Sequence, residues 1–119
     1  FLDRNCSIVV TEGRPENLTI LSSRFPDLPV RALDLDNPDP TFKEQFEIIY
    51  CYGLLYHLEK PAEAIAYMAA RCQEMFLLET CVSYGETEEI NLCIEPAEGA
   101  TQSLSGQGCR PTRPWIYHQ

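Results

Sequence analysis

The sequence predicts an α/β fold, a mostly parallel sheet with helices on both faces. Two observations predict it. Apolar, β-branched runs at 7–11, 30–35, 46–52 and 75–80 are continuous rather than alternating, the pattern of strands buried on both faces. Between them lie proline-opened segments with helical spacing, so strand and helix alternate along the chain.

The first strand, Ser7-Ile8-Val9-Val10-Thr11, closes at Glu12-Gly13. Pro15 suits the first helical position, and Glu16 complements the positive helix start. Leu18, Leu21 and Phe25 share one face, which predicts a helix over 15–25 ended by Pro26. Val30 to Leu35 is the second strand, broken by Asp36-Asn37-Pro38-Asp39-Pro40. Phe46 to Tyr52 is the third and strongest, stopping at Gly53 before a short apolar turn over Leu54 to Leu58.

Pro61 opens a second helix, predicted over 61–73, with Ile65, Met68, Ala69 and Cys72 on its apolar face. Met75 to Thr80 is the fourth strand. Beyond Cys81 the pattern weakens: Ile90 to Ile94 reads as a further strand and 99–109 as loop. The 119 residues therefore make a single domain, with a recognisable core over 6–80 and an irregular part over 81–119. The chain starts without Met and without a secretion signal, so it is expected to begin inside a longer one.

A net charge of −9 with scattered cations disfavours a nucleic-acid partner, and no apolar run reaches membrane-spanning length. The six cysteines include no CxxC pair, and neither His57 nor His118 has a Cys at ligand spacing. Buried free thiols in a reducing cytoplasm are expected, with no metal.

Right-handed crossovers gather the strand C-termini along one edge, where such sheets bind ligands. That edge carries Glu12, Asp34 to Asp36, Tyr52 to His57 and Glu79 to Val82. Glu12 is suited either to hold both hydroxyls of a ribose or to cap the next helix. Asp34 suits an adenine amino group, with Asp36 as competitor, or else is a turn carboxylate. His57 reads as a base or as a structural histidine bonded to a loop carbonyl. There is no Walker loop, no GxGxxG and no nucleophile elbow.

The runs from Val10 to Leu18 and from Phe46 to Leu58, with Pro61, resemble class I methyltransferases that use S-adenosylmethionine. Gly53-Leu54-Leu55-Tyr56-His57-Leu58 followed by Pro61 is similar to a branch with a G-x-L-Y-H-L-x-x-P stretch. Gln102, Gly106, Gly108, Cys109, Arg110, Pro111 and Trp115 resemble a downstream motif of that branch more weakly. The resemblance implies a Rossmann-like sheet, incomplete here because the family's first strand and glycine-rich loop should precede Ser7.

It further implies S-adenosylmethionine as cofactor, with Glu12 and Gly13 at the ribose, Asp34 and the Leu35 backbone at the adenine, and Tyr52 and Gly53 beside the methionine part. His57 would act in catalysis, and Tyr56 and Arg110 would face the substrate, a small-molecule or glycan-type acceptor. With the front wall missing, weak cofactor binding and no turnover are expected of this chain alone. Unpaired strand edges would favour a homo-oligomer. Two other classes fit the bare pattern: half of a nicotinamide enzyme, or a non-catalytic interaction domain on the same scaffold.

Overall fold

The computed structural model describes residues 4–96, 98, 99 and 101–119. Strands β1 (Val10–Glu12) and β2 (Val30–Ala32) pair in parallel, and helix α1 (Pro15–Arg24) connects them. The ladder gains a bond at each end, from Val10 N–H to Pro29 O and from Leu33 N–H to Glu12 O. Strands β3 (Phe46–Tyr52) and β4 (Cys72–Glu79) form a second parallel pair, with Phe46 opposite Cys72 and, after a register shift, Ile48 opposite Met75 through Tyr52 opposite Glu79. A 3₁₀ turn (Leu55–His57) and helix α2 (Pro61–Ala69) connect β3 to β4. Strands β5 (Ile90–Ile94) and β6 (Gln107–Pro111) are antiparallel, and α3 (Arg113–Tyr117) follows.

The core lies where α2, the 3₁₀ turn and α3 meet one face of the β3–β4 pair. Leu35, Cys51, Leu55, Leu58, Ala64, Ile65, Met68 and Trp115 are buried there, with Ile49, Phe76 and Leu78 packed against them. The period-2 alternation of a strand sends the neighbouring residues the other way. Ile48, Tyr50, Tyr52, Met75 and Leu77 are therefore exposed on the opposite face, with the rings of Tyr50 and Tyr52 stacked 5.7 Å apart. Among the described residues no ladder joins β1 to β3. No helix is long and apolar enough to cross a membrane.

The two helices, the two parallel pairs and β5 lie where the sequence places them, with four differences at their ends. Ser7 to Val9 lie outside β1, whose pairing begins at Val10. Strand β2 stops at Ala32; Asp34 enters a turn and Leu35 drops into the core.

Helix α2 stops at Ala69, so Cys72 begins β4 rather than lying on a helical face. The reason is Arg71, whose Nε and Nη2 donate to Phe42 O at 3.0 and 2.7 Å while its own carbonyl accepts from Phe46 N–H. That clamp ties the helix exit to the start of β3.

Residues 107–109, read as loop, belong to β6, because β5 supplies a partner that local propensity could not reveal. Ala100, within the same segment, lies outside the described residues. Helix α3 was also not anticipated, although Thr112 caps it by accepting from Trp115 N–H at 3.4 Å.

Candidate functional site

The ends of β1 and β2 and the 3₁₀ turn enclose a cleft of about 100 Å³, lined among others by Glu12, Gly13, Asp34, Leu35, His57 and Leu104. Glu12, Gly13, Asp34, Leu35, Asp36, Leu54 and His57, all singled out from the sequence, are thus brought together. Gly13 lets the chain pass close: a Cβ there would sit 2.6 Å from Leu104 Cδ1. Arg14 holds the rim, with Nη2 donating to Gln102 O at 3.0 Å and Ser103 O at 2.9 Å.

Glu12 accepts from Arg14 N–H at 2.8 Å and from Asn17 Nδ2 at 3.2 Å. The structure therefore gives it the helix-entry role, one bond to each oxygen. An ionised carboxylate has about four acceptor positions, so each oxygen keeps capacity for a ligand hydroxyl.

Asp34 behaves as a turn carboxylate, accepting from Asp36 N–H at 2.9 Å and Asn37 Nδ2 at 3.2 Å. Asp36, its competitor for the adenine, also lines the cleft but is buried. Its oxygens accept from Lys60 N–H at 2.8 Å and Glu59 N–H at 3.1 Å, fixing the entry to α2. Leu35 is buried in the core, leaving its backbone to the cleft.

Tyr52 and Gly53 do not line this cleft. Tyr52 is 65% exposed on the uncovered sheet face. Gly53 has φ +65°, and its N–H donates to Glu79 Oε2 at 2.8 Å, so the carboxylate closing β4 holds the turn after β3. A larger, open depression of about 320 Å³ lies between Leu78–Val82 and α3; it takes in Glu79, Thr80 and Val82 of the predicted ligand edge, apart from the residues gathered around Glu12.

His57 and Arg110, 53 residues apart in the sequence, meet at a carboxylate the sequence reading missed. Glu95, just after β5, is 6% exposed. Its Oε2 accepts from His57 Nδ1 at 2.6 Å and from Ser103 N–H at 3.1 Å, and its Oε1 from Arg110 Nη2 at 3.3 Å. Burial alone would raise the Glu95 carboxyl; hydrogen bonds from His57 and Ser103, attraction to a protonated His57 ring and a hydrogen bond from Arg110 outweigh it and hold the group below its ordinary value. Glu95 is therefore ionised at neutral pH and acts as acceptor only.

Tyr56 completes the cluster. Its ring centroid lies 4.1 Å from that of His57, and the Arg110 guanidinium sits 5.1 Å from it. Arg110 Nη1 also donates to Tyr56 O at 2.9 Å. Gly108 permits the approach of β6 to the 3₁₀ turn, since a Cβ there would lie 2.5 Å from Tyr56 O and 2.6 Å from Glu95 Oε1. The available signal for Glu95 was its position: an acidic residue directly after an apolar run, the pattern that singled out Glu12.

Two solved structures share this fold. The chain superposes on the N-terminal domain of EvdMO1 with SAH bound, with a TM-score of 0.71 and 20% identity over 94% of this chain and 52% of that one. The same domain in the presence of SAH and D-fucose gives 0.72 and 21%, over 94% and 53%. The chain has the Rossmann-like methyltransferase fold. It spans about half the length of the solved chains it matches. No protein-family model matches it, and no curated protein does. Among the described residues no group of His, Cys, Asp and Glu is arranged to hold a metal ion, and all six cysteines are free.

Proposed function

We propose that this chain is an S-adenosylmethionine-dependent methyltransferase domain, with the cofactor's ribose at Glu12 and Gly13 and its adenine beside Asp34 and Leu35. The carrying observation is the strand-end carboxylate Glu12 lining a cleft in a fold shared with an SAH-bound domain. The donor set fits: Glu12 retains acceptor positions for a diol, and Gly13 lets Leu104 close against the chain beside it. When bound, the cofactor supplies a sulfonium methyl group, already activated for transfer.

The residues of the chain would do the rest. Glu12 would hold the ribose, the short Gly13 turn would admit it, and His57 and Tyr56 would face the acceptor. The D-fucose present with the second EvdMO1 structure supports a sugar-like, small-molecule acceptor. The six free cysteines support a reducing, cytoplasmic setting.

At about 100 Å³ the cleft is well below the ~300–1,000 Å³ of a typical ligand site, so weak binding is expected of this chain alone. Amide NMR with millimolar SAH tests the reading. Shifts should centre on Gly13, Asp34 to Asp36 and Leu104 and shrink in Glu12→Ala, by the ~1–3 kcal/mol of an unpaired ligand hydroxyl. An equal response to NAD would favour a nicotinamide enzyme, and no response to either would leave only an interaction domain.

A further inference from the structure

The His57–Glu95 contact says which proton the site handles. With Glu95 ionised, a 2.6 Å contact to His57 Nδ1 requires the ring proton to sit on Nδ1. In the neutral form of the ring, Nε2 is then a bare lone pair. His57 lines the cleft, and among the described residues Nε2 has no hydrogen-bond partner. Nδ1 is engaged by Glu95, which does not line the cleft, so Nε2 is the ring nitrogen left for a group bound there.

Glu95 itself is held from three directions. Ser103 N–H and Arg110 Nη2 share its oxygens with His57, and Gly108 leaves the room that this packing needs. Glu95 cannot rotate toward the cleft without breaking those bonds, so it acts only through the ring.

We propose that Glu95 is a positioning residue that fixes His57 as the Nδ1–H form, and that the methyl acceptor served by His57 Nε2 is a hydroxyl oxygen; this rests on the methyltransferase reading above. A thiolate or a neutral amine attacks a methyl group without first surrendering a proton. An aliphatic hydroxyl is a poor nucleophile unless a base takes its proton as the bond forms.

In the transfer the acceptor oxygen forms the O–CH₃ bond while the S–CH₃ bond breaks and its electron pair returns to sulfur. The hydroxyl proton passes to His57 Nε2. The resulting imidazolium is held against the ionised Glu95 carboxylate, whose charge opposes the new one. Arg110, whose charge is already matched by Glu95, and Tyr56, packed on the ring, keep the imidazole from swinging out of line.

The test reads His57 directly. The chain has two histidines, so His118→Gln leaves one ring in the ¹⁵N spectrum. At a pH where that ring is neutral, its proton is expected on Nδ1. Glu95→Leu should move it predominantly to Nε2, the form a free imidazole favours. Glu95→Gln, whose amide oxygen still accepts from Nδ1–H, should retain it. A proton on Nε2 in the parent, or a Glu95→Leu spectrum identical to the parent's, overturns the proposal. If Glu95→Leu fails to fold, the parent spectrum still decides the ring form.

D-fucose added with SAH probes the hydroxyl assignment. It should shift the Nε2 resonance in the parent, whereas the same sugar with every hydroxyl methylated should not. No shift, or equal shifts, overturns the assignment. SAH titrated alone reads the cofactor site separately: silence at Gly13 and Asp34 sinks the methyltransferase reading but leaves the ring measurement intact.

Discussion

Glu12 closes β1 and Glu95 directly follows β5, but the fold uses the two carboxylates differently. Glu12 bonds residues two and five positions ahead and remains partly open to the cleft. Glu95 is 6% exposed and gathers partners 8, 15 and 38 residues away. One is a local cap with acceptor capacity to spare; the other ties the C-terminal hairpin to the 3₁₀ turn. A carboxylate at a strand end can thus serve a ligand or the scaffold, and the distance of its partners distinguishes the two.

The largest expected effect comes from Glu95. Glu95→Leu strands the His57 and Arg110 donors, and breaking a buried pair from one side costs ~3–5 kcal/mol. Arg110 keeps 35% of its side chain in solvent, which reduces the penalty to about 2–3 kcal/mol. Urea unfolding should show this loss. A change within experimental error would mean that the cluster does not hold the hairpin.

Gly108→Ala comes next. The added Cβ meets a backbone carbonyl and a buried carboxylate, neither of which can swing aside, so β6 must retreat from the 3₁₀ turn. A cost of about 2 kcal/mol follows from overpacking. The His57 ring resonances should shift as well, because the same displacement lengthens the Glu95 contacts. Ala tolerated without change at His57 would separate Gly108 from the cluster.

Glu12→Ala should cost less in stability, about 1 kcal/mol, the usual loss when a helix-entry acceptor is removed. Thermal melts of the Glu12 and Glu95 variants should therefore differ in order. If Glu12→Ala proves the more damaging, the local-versus-distant comparison fails.

The same distinction explains what the sequence revealed. Glu12, Asp34 and His57 stand beside strand ends and turn residues that are visible in a short window, so their meeting at one edge was legible. β3 was legible to the residue because Phe46 to Tyr52 is apolar apart from Glu47 and is closed by Gly53. Gln107 to Cys109 have no strand character of their own and become a strand only against β5. Glu95 lacked a signal beyond its position, because what marks it is the convergence of Ser103, Arg110 and His57. Tyr52 and Gly53 follow β3 as expected but point to the uncovered face and to Glu79, since one residue of strand register decides the face.

Acid titration gives the finest form of the comparison, because two carboxylates sit below their ordinary value for different reasons. In Glu95 the cluster's hydrogen bonds and charges overcome burial. In Asp39 the Thr41 N–H, 2.8 Å away, and then the Thr41 hydroxyl, at 2.7 Å, lower the group. A carboxyl lowered on folding adds stability that is fully present above its unfolded value, near 4.5 for Glu, and is lost as pH falls through the folded one. Wild type and Glu95→Gln should therefore differ most above about pH 5 and converge as pH drops further. Asp39 has the same sign but a different reference state. Its partner is two residues away on an exposed loop, and such a turn persists in part of the unfolded ensemble, so the shift between states is smaller than the folded geometry suggests. Asp39→Asn should leave the acid limb of unfolding superimposable on wild type. An acid limb flattened by Asp39→Asn and untouched by Glu95→Gln would mean that local bonding, and not the distant cluster, sets the acid stability of this domain.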